Sequence, residues 1–223
     1  MTEPERRLES VSYYAAALQL RGRRCVVVGG GAVAERKLAG LLESGADALL
    51  LVSPEVTKGI EALAAAERVE LRLRAYRESD LDGAWMVFAA TDNEGLNLAI
   101  ALAAEQRHLW CNVADRGEAG SFITPSVVRR GDLLLSVTAS GASPALSMAI
   151  KRELERQYGP RYEAAVERLR LLREYVLAEL KDEALRRDVL KLAAEETLDD
   201  SKNFQQIETG LWYRQLLDRT KGR

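Results

Sequence analysis

Three consecutive glycines, Gly29 to Gly31, follow the β-branched run Val26–Val28 and precede a segment of helical periodicity. Glycine loses more backbone freedom on folding than any other residue, so three at a strand-to-helix handover need a physical reason. A helix N-terminus leaves main-chain N–H groups unpaired and carries partial positive charge. A diphosphate satisfies both, provided no side chain keeps it away from the backbone. Gly29-x-Gly31-x-x-Ala34 has the G-x-G-x-x-A form of the dinucleotide-binding fingerprint, and it lies between strand and helix, where that fingerprint functions.

The flanking pattern supports this context. Val33, Ala34, Leu38, Leu41 and Leu42 predict a helix over Ala32–Ser44 with Gly45 as C-cap, and Leu49–Val52 a second strand ended by Pro54. Further strands are expected at Val69–Arg74, Met86–Ala90 and Leu109–Val113, with helices at Ile60–Ala66 and Asn97–Arg107. Strands alternating with helices imply an α/β fold with a Rossmann-like parallel sheet. After Asp115 the texture changes. Ser121–Val128 and Leu133–Thr138 read as a hairpin joined by RRGD, and Ser143-Pro144 opens a helix. Beyond Pro160 only helices are expected. Leu169, Leu172, Val176 and Leu180 form one stripe and Leu185, Val189 and Leu192 another, while Phe204, Ile207, Leu211 and Leu216 offer apolar surface near the end. The expected segments are 1–115, 116–150 and 151–223.

The 223 residues are 47% hydrophobic and 30% charged, with formal net charge −2, so charge gives no argument for nucleic acid. No run approaches the ~20 apolar residues of a membrane span. The charged start, MTEPERRLESVSYY, is no signal peptide, and Cys25 and Cys111 read as reduced thiols, so a cytoplasmic location is expected.

The fingerprint expects an acid at the second strand's end, about 20 residues on, to hold the ribose. Ser53-Pro54 stands there, with Glu55 just past and Lys58 as the nearest cation in sequence, which favours NAD over NADP. Thr91 and Asp92 end the fourth strand, where open α/β sheets bind ligands; Asp92 or Asn93 equally suits a helix N-cap. Asp115 follows the fifth strand and suits either a proton acceptor or a turn aspartate. His108 and Cys111, three apart, point to opposite sides of a strand and lack a second pair, so no metal site is expected. A generic dehydrogenase reading is weakened, because the sequence has no Tyr-x-x-x-Lys pair on a helix to act as acid and base.

The stretches VVVGGGAVAERKLAGLLESGA, VSPE, FAATDN, CNVAD and SFITPSVVRRGDLLLSVTASGASP, in this order, resemble the precorrin-2 dehydrogenase and sirohydrochlorin ferrochelatase family, over roughly Leu20 to Gly159. This is the family of the amino-terminal module of siroheme synthases, here in what looks like a stand-alone form. The resemblance implies NAD-dependent oxidation of precorrin-2 to sirohydrochlorin, and in some members insertion of Fe²⁺. It implies a homodimer, with a small α+β dimerisation region at 116–150 between the Rossmann domain and a helical domain. It places the cofactor against Gly29, Gly30, Gly31, Ala32, Val33, Ser53 and Pro54, and makes Asp115 the catalytic aspartate. The substrate is a polycarboxylate, and Arg116, Arg129, Arg130, Lys151, Arg152 and the helix start at Ser140–Ser147 offer groups suited to carboxylates. A serine that is phosphorylated in some relatives aligns with Ala139, so that regulation is not carried over. An NAD-sensing regulatory module without catalysis is the competing expectation.

Overall fold

The computed structural model describes residues 12–114, 116–199 and 208–222. The chain divides into two compact units, Met1–Thr124 and Pro125–Arg223.

In the first unit the order is β1 (Arg24–Val28), α1 (Ala32–Glu43), β2 (Ala48–Ser53), α2 (Lys58–Ala65), β3 (Glu70–Leu73), β4 (Met86–Ala89), α3 (Glu94–Gln106) and β5 (Trp110–Val113). One 3₁₀ turn, Glu78–Leu81, lies between β3 and β4. All five strands are parallel, in the order β3-β2-β1-β4-β5. The strands read as unbroken apolar runs because both faces are covered. Cys25 and Val27 face a core with Leu38 and Leu41 of α1 and Ile60 of α2, while Val26 and Val28 face a second core with Leu81, Ile100 and Ala104. Lys37 ties α1 to the end of this unit. Its ammonium donates to Thr124 Oγ1 at 3.0 Å and lies 5.7 Å from the Phe88 ring centroid; burial, with Arg36 adding, lowers its pKa.

Three local readings are corrected. The α1 C-cap is Ser44; Gly45 is the next residue, at φ 78°, where its N–H closes the turn on Leu42 O. Helix α3 starts three residues before Asn97, because the Asn93 side chain accepts from Leu96 N and caps it there. The first hairpin strand starts at Ser126 rather than Ser121. Ser121 and Phe122 instead bond to Cys111 O at the edge of β5, and Pro125 has no N–H to donate.

In the second unit, β6 (Ser126–Arg130) and β7 (Leu133–Val137) form the antiparallel hairpin, with α4 (Pro144–Gln157) against it. Ser143 caps α4, its side chain accepting from Leu146 N at 3.2 Å. Helices α5 (Arg161–Glu179), α6 (Glu183–Leu198) and α7 (Thr209–Lys221) share one core of Leu172, Val176, Val189, Leu192, Trp212, Tyr213 and Leu216. Both predicted stripes contribute to it. Phe204 and Ile207 lie outside the described residues, and Leu211 is exposed.

Leu38→Ala, at a fully buried position facing the sheet, is expected to cost about 2–5 kcal/mol of unfolding free energy by urea denaturation. Leu102→Ala, at a residue 61% exposed on α3, is expected to change it by less than about 0.5 kcal/mol.

Candidate functional site

The strand order reverses between β1 and β4, and at such a switch point open α/β sheets place their ligand crevice, at the carboxyl ends of the strands. Val28 pairs with Val52 on one side and Ala89 on the other, so the chain exits of β1, β2 and β4 are neighbours. This pairing brings Gly29–Val33, Ser53-Pro54 and Thr91-Asp92 to one edge.

Each glycine of the loop has its own role. Gly29 sits at φ 123°, and a Cβ there would run into the carbonyl of Ala90. Its N–H donates to Val52 O at 3.0 Å. A Cβ on Gly30 would run into the carbonyl of Glu55, which loops back so that Thr57 N donates to Gly30 O at 3.0 Å. Gly31 differs, because a Cβ there meets nothing within 4 Å. It is exposed, as is Ala32, and Val33 is half-buried.

Gly31 is the N-cap of α1 and offers no capping side chain. The other two α-helices of this unit are sealed, α2 by Thr57 through Ile60 N and α3 by Asn93 through Leu96 N. Among the described residues of this unit, α1 is thus the α-helix whose first turn has no side-chain cap, and its start lies at Gly31. An uncapped helix start over a residue without a side chain fits a diphosphate. Glu35, in the first turn, accepts from Thr57 Oγ1 at 2.6 Å and so ties α1 to the start of α2.

Ser53 is buried, and its hydroxyl donates to Glu55 O at 2.7 Å. Its proton is thus committed to the loop beneath Gly30, leaving lone pairs to accept. Pro54 is exposed beside it. Thr91 is held by Asn97, a buried residue the sequence reading passed over. Asn97 Oδ1 accepts from Thr91 Oγ1 at 2.7 Å and from Thr91 N at 3.2 Å, and its Nδ2 donates to Thr91 O at 3.0 Å. Asp92 is exposed; Asn93 takes the cap. A lone Asn among the apolar residues of a helix was the available signal.

A second group missed from sequence lies beside β2. Asp80, with a fully buried side chain, accepts from Arg72 and Arg74 and from Arg77 N. Hydrogen bonding from Arg74, joined by Arg77 N–H and Arg72 and opposed by burial, holds its carboxyl well below the usual carboxylate range.

Asp115 lies outside the described residues. Arg116 pairs with Glu94 at 3.0 Å. Arg129, Arg130, Lys151 and Arg152 belong to the second unit. Arg130 there donates to Tyr158 O and Glu155 O, and Lys151 pairs with Glu155. Ser143 takes the N–H of Leu146 at the start of α4, as its reading as N-cap expects. His108 lies in a turn after α3 at φ 54°, and Cys111 is buried in β5. Among the described residues no group of three or more His, Cys, Asp or Glu could hold a metal ion.

Residues 16–126 match a family model described as putative NAD(P)-binding. The siroheme synthases of Escherichia coli O157:H7 (strain EC4115 / EHEC) and Citrobacter koseri are each 43% identical over 141 residues, 61% of this chain. The chain spans 30% of the length of these relatives. The solved structure of SirC, precorrin-2 dehydrogenase, superposes with a TM-score of 0.74 at 26% identity, covering 95% of this chain and 100% of that one.

The two kinds of glycine should separate in experiment. Gly31→Val is expected to leave the unfolding midpoint within about 2 °C, because its side chain enters open space, yet to weaken NAD⁺ binding at least about tenfold by calorimetry. Gly30→Ala must displace Glu55 and is expected to lower stability by about 1–3 kcal/mol.

Proposed function

We infer that this chain, which belongs to the precorrin-2 dehydrogenase and sirohydrochlorin ferrochelatase family, oxidises precorrin-2 to sirohydrochlorin with NAD⁺ in siroheme biosynthesis. The observation that carries this reading is the uncapped start of α1 over the open face of Gly31, at the switch point of a parallel sheet.

When bound, NAD⁺ supplies the hydride acceptor. In this reading the N–H groups of Gly31, Ala32 and Val33 hold the diphosphate, and Gly29 and Gly30 keep the turn tight enough for its approach. Ser53 and Pro54 flank the adenosine ribose, with Ser53 as acceptor. Thr91 and Asp92 border the cofactor, with Asn97 fixing the turn. Asp115, two residues beyond β5 in the chain, receives the proton that leaves the tetrapyrrole as the hydride departs, so a hydride and a proton go to separate acceptors. Fe²⁺ enters this reading only as substrate of a second step, in which the macrocycle's nitrogens hold the ion and Asp115 takes pyrrole protons.

The second unit supports a homodimer. Leu146, Met148 and Ile150 on α4 are 53%, 45% and 37% exposed, and Leu134 on β7 is 40% exposed. Of α4 only Ser147 is buried. Leu146 and Ile150, one turn apart, put apolar surface on one side of α4, and a second copy is the partner that would cover it. No described helix is long and apolar enough to cross a membrane. The thiols of Cys25 and Cys111 are buried, and burial, with Asp47 adding at Cys25, pushes both up to about 11, so they are poor nucleophiles.

Purified protein given precorrin-2 and NAD⁺ is expected to yield NADH and the sirohydrochlorin spectrum; absence of both refutes the dehydrogenase reading. Asp115→Ala is expected to reduce turnover by about a hundredfold or more while NAD⁺ affinity stays within about twofold. Unchanged turnover would remove Asp115 from the chemistry. Leu146→Glu with Ile150→Glu is expected to shift the sedimenting species from dimer to monomer.

A further inference from the structure

NAD and NADP differ by one phosphate on the adenosine ribose, which docks at the end of the second strand. Where a carboxylate usually repels that phosphate, β2 ends in Ser53 and Pro54. Discrimination by this chain, resting on the reading of the crevice as an NAD site, therefore needs another source. The pairing of β2 with β3 supplies one.

Ser53 pairs with Leu73, and Arg74 follows at once. Adjacent strands lie about 4.8 Å apart, so the Arg74 stem starts one strand from the ribose end of β2. A guanidinium is the side chain best matched to a phosphate, and Arg74 is 30% exposed in its side chain. Three of its five N–H donors are nevertheless committed elsewhere. Nη1 donates to Asp80 Oδ2 at 2.8 Å and to Ala75 O at 3.0 Å, and Nη2 donates to Asp80 Oδ1 at 2.5 Å. Arg72 is held likewise, by Asp80 Oδ1 and Glu70 Oε1, each at 2.9 Å. Arg77 N adds a fourth bond to Asp80, at 2.9 Å to Oδ2, so both carboxylate oxygens are filled. The 3₁₀ turn that carries Asp80 is pinned by Leu81, 1% exposed. Two carboxylates thus neutralise two guanidinium groups beside the ribose end.

We propose that Asp80 sets the cofactor preference by holding Arg74 in a bidentate pair beside the end of β2, which withdraws the cation that would otherwise receive the 2′-phosphate of NADP. Asp80 is a positioning residue in this scheme and touches no cofactor.

The test is calorimetric titration of the full chain with NAD⁺ and with NADP⁺, independent of turnover. The unaltered protein is expected to bind NAD⁺ at least about tenfold more tightly, and Asp80→Asn to raise NADP⁺ affinity about tenfold with NAD⁺ affinity within about twofold. Adding Arg74→Ala to that variant is expected to cancel the gain. Should Asp80→Asn fail to fold, Arg74→Lys keeps a cation but loses the fork on Asp80, and is expected to raise NADP⁺ affinity about threefold where Arg74→Ala does not. Intact NAD⁺ binding with no NADP⁺ gain in the folded variants overturns the proposal, as does equal affinity of the unaltered protein for both cofactors. No saturable NAD⁺ binding by the unaltered protein overturns the NAD site itself, and this proposal with it.

Discussion

The crevice depends on two main-chain crossings that only glycine permits. Gly29 passes against the carbonyl of Ala90, and Gly30 against that of Glu55. These approaches let β1 hand over to α1 without pushing away the exits of β4 and β2. Hydrogen bonds close the arrangement from both sides, Gly29 N to Val52 O and Thr57 N to Gly30 O. A side chain at either position would separate elements whose closeness defines the edge. Gly31 has no such constraint, and the fold tolerates a Cβ there. Two of the three glycines therefore serve the architecture, and the third stands over open space.

Capping extends the same distinction. A helix can satisfy one of its first N–H groups with a side-chain oxygen at the N-cap. Helices α2 and α3 do so, with Thr57 and Asn93. Helix α1 does not, and the acid in its first turn, Glu35, bonds to the Thr57 hydroxyl. That carboxylate braces a neighbouring helix. Positive end charge and unpaired donors thus persist where a diphosphate would be seated.

Much of the first unit was legible in the sequence because parallel strands buried on both faces are continuous β-branched and aliphatic runs, and Val26–Val28 and Leu49–Val52 are such runs. The stripe of Leu172 and Val176 likewise announced α5, and Leu192 belongs to the same core from α6. Boundaries were less legible where a single side chain decides them. The Asn93 cap moved the start of α3, and Ser121 turned a predicted strand into a clamp on β5. Asn97 was missed because its role is to hold Thr91, and six residues of sequence separation carry no sign of that bond.

Sequence by itself determined the alternation of strands and helices, the glycine turn and the residues at each strand's end, since local spacing and backbone sterics act within a few residues. Only the tertiary structure decided that β3 lies beside β2, and hence that Arg74 stands next to Ser53 with its charge already taken by Asp80. Sequence alone had left Lys58 as the nearest cation. The reason is physical: strand order and ion pairing are set by which faces bury together across the sheet, a global condition that no local window contains.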